Sequence, residues 1–130
     1  MNRDLGFTDA NRVQNIRRIG EVAKLFVDSG SIVMCSFISP SRAERDAVRG
    51  MVEPDEFVEL FVDAPIEVCT ARDPKGLYAK AARGEISNYT GIDSPYEPPM
   101  SPEINLKTAN AAPDQLVDQI LRYLREIKRI

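Results

Sequence analysis

Arg12 and Asn15 lie three residues apart, just after Phe7 and the helix-start signal Thr8-Asp9. On a helix this spacing places a guanidinium and an amide on one side, near an end whose free N–H groups favour anions. With the aromatic ring beside them, they could hold a base by stacking and a phosphate by charge. The alternative is a hydrophobic staple with solvated surface charges.

Ser39 is a second candidate, because it follows an apolar run and precedes a helical pattern. In a turn from strand to helix, its hydroxyl and the amides after it would face a ligand beyond the sheet. Ser39 followed by Pro40 is also typical of a simple helix N-cap with proline at the first helical position. The local pattern leaves both interpretations open.

Two further stretches carry groups suited to phosphate or base binding. Lys75 lies in the turn Asp73-Pro74-Lys75-Gly76, directly after Arg72, where cations suit phosphate stabilisation and a solvated turn is the alternative. The loop-rich region 88–102 holds four of the nine prolines. Its residues Asn88 and Tyr89 could belong to a lid over a base, or the loop could simply be anchored by one buried tyrosine.

Composition fits one ordinary domain. The 130 residues are 43% hydrophobic and 28% charged, which supplies enough apolar content for a core. With 17 Lys and Arg against 20 Asp and Glu, the net charge of -3 argues against nucleic acid as the main partner. There is no apolar run long enough to span a bilayer and no secretion signal, so we expect a cytoplasmic protein.

Two residue types limit the possible chemistry. Histidine is absent, so any catalysis must use carboxylate, Lys, Arg, Ser or a metal-bound phosphate. Cys35 and Cys69 lie in apolar stretches without a CxxC pairing. This pattern favours two buried reduced thiols over a disulfide or a metal site.

The periodicity predicts five helices and three strands. We expect α/β architecture with a parallel sheet, in which ligands bind beyond the carboxyl ends of the strands. Those ends would lie at residues 37–42, from residue 63 onward, and at residues 107–110. The predicted strands are 31–37, 57–62 and 104–106; the predicted helices are 8–29 with Gly30 as its stop, 39–50, 65–72, 76–83 and 113–128.

Each motif is weak alone, but their joint order closely resembles the adenylyl-sulfate kinase family. The resemblance covers essentially the whole chain and implies a single, partial domain of that family over residues 1–130. It rests on Asn-Arg-Asp-Leu-Gly-Phe-Thr-Asp at 2–9, Phe-Ile-Ser-Pro at 37–40, Arg-Asp-Pro-Lys-Gly-Leu-Tyr at 72–78 and Thr-Gly-Ile-Asp-Ser-Pro-Tyr-Glu at 90–97.

The family transfers the γ-phosphoryl group of ATP, bound with Mg²⁺, to the ribose 3′-hydroxyl of adenosine 5′-phosphosulfate. The product is 3′-phosphoadenylyl sulfate, the activated sulfate donor of sulfate assimilation. The resemblance therefore implies a P-loop kinase-like parallel sheet flanked by helices, with ATP and the sulfonucleotide as small-molecule partners. We also expect a homo-oligomer.

The resemblance also implies roles for individual residues. Ser39 matches the family's phosphoserine position and Lys75 would reach phosphate or sulfate, so both are candidate catalytic residues. Tyr89 stands where the family usually has a phenylalanine that stacks on the substrate adenine, and a tyrosine keeps that plane. The sulfonucleotide would contact Phe7, Arg12, Asn15, Ile38, Ser39, Lys75, Asn88 and Tyr89, and the ATP adenine would lie near Arg72 and Thr108.

One departure from the family is serious. The family begins with a strand and a GxxxxGK[ST] loop that cradles the ATP phosphates, followed by an Asp-Gly-Asp-Asn segment; no glycine here is followed by lysine. We therefore expect the chain alone to be inactive. The family's first strand lies between the strands equivalent to 31–37 and 57–63, so we expect exposed surface, self-association or partial order. The alternative function is a non-catalytic module that binds a sulfonucleotide or a partner.

Overall fold

A computed structural model of the chain describes residues 2–6 and 8–130. These residues divide into two compact units. The first unit comprises Met1–Phe57 and Ser87–Pro98, and the second comprises Val58–Ile86 and Pro99–Ile130. The single domain predicted over residues 1–130 stays a prediction.

The first unit is dominated by helix α1, Asp9–Asp28. Thr8 is its N-cap, and the Thr8 hydroxyl accepts a hydrogen bond from the Asn11 N–H at 3.3 Å. The helix ends before Gly30, whose φ of 85° is a left-handed conformation that glycine adopts without steric cost. Both the predicted start and the predicted stop are confirmed because their signals are local.

Helix α2, Arg42–Arg49, packs against α1 at a glycine. A Cβ added at Gly20 would lie 2.9 Å from the Met51 Sδ and 3.0 Å from a Val48 methyl carbon. The missing side chain therefore allows the close approach of the two helices.

The strand predicted at residues 31–37 is not formed, so that prediction is wrong. The segment has no ladder partner among the described residues, and Ile32 and Met34 are 62% and 95% exposed. Its sequence is strand-like, but a strand exists only where another strand completes its hydrogen bonds. For the same reason Cys35 is exposed, contrary to the prediction of two buried thiols, whereas Cys69 is half-buried.

The predicted start of α2 is also wrong. Ser39 is not the N-cap, and the helix begins at Arg42 after an extended Ser41 whose side chain makes no capping bond. The carboxylate of Glu97 accepts from the Arg42 N–H at 2.7 Å instead. A distant acidic residue thus satisfies the helix end that the sequence assigned to a local serine.

The second unit is built on two parallel strands, β1, Leu60–Asp63, and β2, Ile104–Lys107. Leu60 lies opposite Ile104 and the register continues to the end of both strands. The core lies on β2, where Ile104 and Leu106 are 3% and 5% exposed. Both strands lie within about three residues of their predicted positions.

Helices follow each strand of this unit, as the parallel pairing requires. After β1 come α3, Ile66–Arg72, and α4, Leu77–Ala82; after β2 comes α5, Pro113–Glu126. The Gln119 side chain on α5 donates to the Asn105 carbonyl of β2 at 3.2 Å. The predicted α/β class with a parallel sheet is confirmed. Across residues 2–6 and 8–130, none of the helices has the length and apolar character needed to cross a bilayer.

Candidate functional site

Arg12, in the first turn of α1, binds the loop at residues 88–94. Its guanidinium donates one hydrogen bond to the Thr90 hydroxyl at 2.9 Å and another to the Asn88 carbonyl. The two partners lie more than seventy residues from Arg12 in sequence. The fold therefore brings Arg12 next to two residues of the predicted lid loop, Asn88 and Thr90.

The loop at 88–94 is closed on itself around Asp93. The two carboxylate oxygens of Asp93 accept from the N–H groups of Asn88, at 2.8 Å, and of Tyr89. In return the Tyr89 carbonyl accepts from three N–H groups of residues 92–94 at 3.1 to 3.2 Å. Asn88 takes a left-handed φ of 56°, which asparagine tolerates better than most residues. These bonds fix where the half-buried Tyr89 ring is presented.

Asn15 lies one turn after Arg12 on α1 and is half-buried. Its side-chain oxygen accepts a hydrogen bond from the Asn2 amide at 2.5 Å. The predicted site residue Phe7 lies outside the described residues. Of the three site residues predicted near the start of the chain, the structure therefore places Arg12 and Asn15 on one helix.

Ser39 lies in the turn before α2 with a φ of 40°, an uncommon conformation for a residue other than glycine. Its carbonyl accepts from the Arg45 guanidinium at 2.5 Å. The neighbouring Ile38 side chain is 64% exposed. The turn therefore presents a strained backbone and an exposed apolar side chain, features that often occur at binding sites.

Glu44 is a desolvated carboxyl in the same unit. Burial is the largest influence on its pKa and raises it; Asp9 acts in the same direction, while Arg12 and Arg45 oppose the rise. One of its carboxyl oxygens, Oε2, is buried and makes no hydrogen bond within the described part of the chain. The cations beside it keep this carboxyl from being an isolated buried charge.

In the second unit, Arg72 and Thr108 lie together at the carboxyl ends of the strands. The Arg72 guanidinium donates to the carbonyls of Thr108 and Ala109 at 2.9 and 3.2 Å. Thr108 in turn donates its N–H and its hydroxyl to the Asp63 carbonyl at 2.9 and 3.2 Å. This is the edge where ligands bind in parallel sheets.

Lys75 is exposed in the turn between α3 and α4. The turn is held by Asp73, which accepts from the N–H groups of Tyr78 and Ala79 at 3.1 and 3.0 Å. Burial raises the pKa of Asp73, but the hydrogen bonds from these amides outweigh it and leave the pKa below its usual value. A well-formed turn therefore presents the Lys75 ammonium to solvent.

The predicted site residues are thus divided between the two units. The first unit contains Arg12, Asn15, Ile38, Ser39, Asn88 and Tyr89, and the second contains Arg72, Lys75 and Thr108. Among residues 2–6 and 8–130, no three acidic, histidine or cysteine side chains converge to hold a metal. The described side chains therefore assign no ligand set to Mg²⁺.

Sequence reasoning missed three residues of this arrangement: Arg45, Asp93 and Glu97. Asp93 and Glu97 belong to the 90–97 motif, and their position there was the one signal available. Arg45 carries no local signal, because its partners Ser39 and Glu97 come from separate segments.

A comparison with models of known protein families shows the family to which this chain belongs. The family model of adenylylsulphate kinase matches residues 1–107. The chain belongs to the adenylyl-sulfate kinase family. This confirms the family predicted from the four motifs.

Among the relatives, the adenylyl-sulfate kinase of Aeromonas salmonicida is 62% identical over 123 residues, which is 95% of this chain and 63% of that protein. That of Lactiplantibacillus plantarum is 58% identical over 126 residues, or 97% of this chain and 61% of the other. The bifunctional enzyme NodQ of Rhizobium sp. is 57% identical over 97% of this chain but only 20% of its own length. The chain thus spans about three-fifths of the adenylyl-sulfate kinases and a fifth of the bifunctional enzyme.

A solved structure of the Mycobacterium tuberculosis APS kinase CysC, in complex with AMPPNP and APS, has a TM-score of 0.88 and 42% identity to this chain. It covers 95% of this chain, which corresponds to 72% of that one. The predicted fold class is confirmed, since the chain shares the P-loop kinase fold of these enzymes.

Proposed function

We propose that this chain carries the sulfonucleotide-binding part of an adenylyl-sulfate kinase. The complete reaction transfers the γ-phosphoryl group of ATP to the ribose 3′-hydroxyl of adenosine 5′-phosphosulfate. The observation that carries the proposal is the contact of Arg12 with the loop that presents Tyr89. It joins a cation suited to phosphate with an aromatic ring suited to a base.

In this proposal five of the predicted site residues of the first unit have a stated role. Arg12 neutralises a phosphate or sulfate oxygen, and Asn15 hydrogen-bonds from the next turn of the helix. Tyr89 stacks on the substrate adenine, held in place by the backbone bonds of its loop. Ser39 and Ile38 line the same site from the turn before α2, with a hydroxyl and an apolar side chain.

The second unit receives the ATP adenine at Arg72 and Thr108. The hydrogen bonds of Arg72 to the Thr108 and Ala109 carbonyls support this placement, because a guanidinium plane fixed by two carbonyls can stack on a base. Lys75 is proposed to reach phosphate or sulfate from its exposed turn. Mg²⁺ neutralises phosphate charge in such reactions and is proposed to arrive with ATP, without ligands assigned from this chain.

A non-catalytic, partner-binding module is the second candidate. One observation favours it, namely the exposure of Ile32, Met34 and Ile38 in a segment without a strand partner. Both candidates predict that the 130-residue chain alone makes no product from MgATP and adenosine 5′-phosphosulfate, because its sequence lacks the glycine-rich loop. Turnover would reject the second candidate.

A binding measurement tests the proposed site without depending on turnover. Titration calorimetry with adenosine 5′-phosphosulfate should show binding by the parent chain, and Arg12→Ala should lose about 1.5 to 3 kcal/mol of binding free energy. Lys24→Ala is the matched control, since Lys24 lies on the same helix and its ammonium binds Asp28 at 2.8 Å.

Arg12 also holds the loop, so a second variant separates the two effects. Thr90→Val removes one loop contact and keeps the guanidinium. If the Arg12 guanidinium binds a charged group of the nucleotide, Arg12→Ala weakens binding more than Thr90→Val does. Equal affinities for the parent, Arg12→Ala and Lys24→Ala would disprove the role of Arg12.

A further inference from the structure

The backbone of Ser39 requires an external restraint. A φ of 40° brings the side chain of a non-glycine residue close to its own backbone, and such conformations persist where surrounding contacts hold them. Pro40 follows immediately, and helix α2 begins two residues later at Arg42. The restraint must therefore act on the turn between the extended segment and the helix.

Arg45 supplies one such restraint from the first turn of α2. One terminal nitrogen of its guanidinium donates to the Ser39 carbonyl at 2.5 Å, and the other donates to the Glu97 carbonyl at 2.6 Å. The guanidinium carbon lies 5.7 Å from the centre of the Tyr96 ring. A planar group that binds two carbonyls and an aromatic face has little freedom to turn.

Glu97 supplies the second restraint. Its N–H donates to the Pro40 carbonyl at 2.8 Å, and its carboxylate accepts from the Arg42 N–H at 2.7 Å. The Ser41 side chain makes no capping bond, so Glu97 acts as the N-terminal cap of α2 from 55 residues away. A carboxylate at this end is also favoured by the helix dipole.

We propose that Arg45 and Glu97 are positioning residues that hold Ser39 in its left-handed conformation and fix it to the loop ending at residue 97. The proposal rests on the proposed function, in which Ser39 lines the sulfonucleotide site. Neither residue contacts the nucleotide in this scheme; both act through the backbone of Ser39 and Pro40. Losing them lets Ser39 relax to a negative φ, which moves its hydroxyl away from the site.

The backbone of Ser39 reports on this role directly. In the parent chain, its N–H to Hα coupling and its carbon chemical shifts should be those of a left-handed residue. In Arg45→Ala they should move to values of negative φ, and in Arg42→Ala, on the same helix turn, they should not change. Arg42 is a suitable control because it binds Glu97 through its backbone N–H, which the substitution keeps.

Calorimetry with adenosine 5′-phosphosulfate gives the functional readout. Arg45→Ala should weaken binding about tenfold or more. Arg45→Lys, which keeps the charge but lacks the planar fork whose two terminal nitrogens reach the two carbonyls, should stay close to Arg45→Ala. Glu97→Gln keeps an acceptor oxygen for the cap and should stay near the parent, whereas Glu97→Ala should weaken binding.

Two results would overturn the proposal: an unchanged coupling and unchanged chemical shifts at Ser39 in Arg45→Ala, or full nucleotide affinity in Arg45→Lys. If the parent chain fails to bind the nucleotide, the proposed function fails, while the Ser39 backbone still decides the positioning role. If Arg45→Ala loses its helical circular dichroism, Arg45→Lys and the two Glu97 variants decide in its place.

Discussion

The two units of the chain are stabilised by different kinds of interaction. In the second unit, strand β2 buries Ile104 and Leu106 to 3% and 5% exposure. In the first unit, distant segments are joined mainly by charged side chains that bind backbone groups, as Arg12, Arg45 and Glu97 do. Burial of apolar surface stabilises the second unit roughly in proportion to the buried area. The polar contacts of the first unit add less net stability and mainly fix the positions of its segments.

The contrast is sharpest between β2 and the segment at residues 31–38. Both are short, but β2 buries its two apolar side chains, whereas Met34 is 95% exposed and Ile38 is 64% exposed. The difference lies in pairing, because β2 has β1 beside it and the segment has no strand beside it in the described structure. An apolar sequence alone therefore does not stabilise a strand.

The largest effect should come from truncating a buried side chain of β2. Leu106→Ala should lower the free energy of unfolding by about 2 to 5 kcal/mol, because it removes buried methyl groups and leaves a cavity. Met34→Ala, a truncation of similar size in the exposed segment, should change it by less than about 0.5 kcal/mol. Urea unfolding measures both, and equal losses would show that residues 31–38 are buried in solution.

The exposed segment should also drive association. We expect the chain to sediment faster as its concentration rises and to bind a hydrophobic dye, since exposed apolar patches associate. Met34→Glu should reduce both effects, whereas Glu85→Gln, at another exposed position, should leave them unchanged. A monomer that binds no dye and melts sharply would contradict this view of the segment.

A smaller effect, on local hydrogen exchange, should follow from weakening the hydrogen bonds of the loop at residues 88–94. Asp93→Asn replaces one of the carboxylate acceptors for the Asn88 and Tyr89 N–H groups with a donor. We expect about tenfold faster hydrogen exchange at these two amides, corresponding to loss of about one hydrogen bond. Asp28→Asn, which breaks only an exposed pair with Lys24, should leave them unchanged.

The smallest effect concerns an exposed ion pair. Arg18 donates two hydrogen bonds of 2.7 Å to Asp4, and this bonding lowers the pKa of Asp4 from 3.8 to about 2. A lowered pKa means that the pair stabilises the folded chain above pH 3.8 and loses this contribution as the pH falls toward 2.

Titration of the Asp4 side-chain carbonyl carbon by NMR measures this shift. Arg18→Ala should return the midpoint toward 3.8, and high salt should do so in part because the pair is exposed. Arg17→Ala, on the adjacent helix position and paired with Glu21, should not move it. A midpoint near 3.8 in the parent would mean that the pair does not persist in solution.

The parts of the fold that local signals determine could be predicted from the sequence. Helix α1 begins and ends where its Thr8 cap and Gly30 indicate, and β2 lies where a short strand was predicted at residues 104–106. The strand at 31–37 and the Ser39 cap were wrong because both depend on residues far away in sequence. Strand pairing and the Glu97 cap cannot be read from a local pattern.

The residues of the candidate site also fall into a group that the sequence predicted and a group that it did not. Arg12, Ser39 and Tyr89 were identified through the family resemblance, since spacing alone left each with a structural alternative. Their supporting residues Arg45 and Asp93 could not be predicted, because their contacts depend on how two loops and a helix meet. Sequence motifs thus indicated the residues that face a ligand more readily than those that hold them in place.

The most direct test of the central claim is an NMR map of the chain titrated with adenosine 5′-phosphosulfate. If the first unit forms the sulfonucleotide site, the backbone amides of Arg12, Ser39 and Tyr89 should shift in proportion to a single binding curve. Inorganic sulfate titrated to the same ionic strength should leave the Tyr89 amide unshifted, because sulfate lacks the adenine on which Tyr89 is proposed to stack. Shifts confined to residues 58–86 and 99–130, or none at any concentration, would contradict the account.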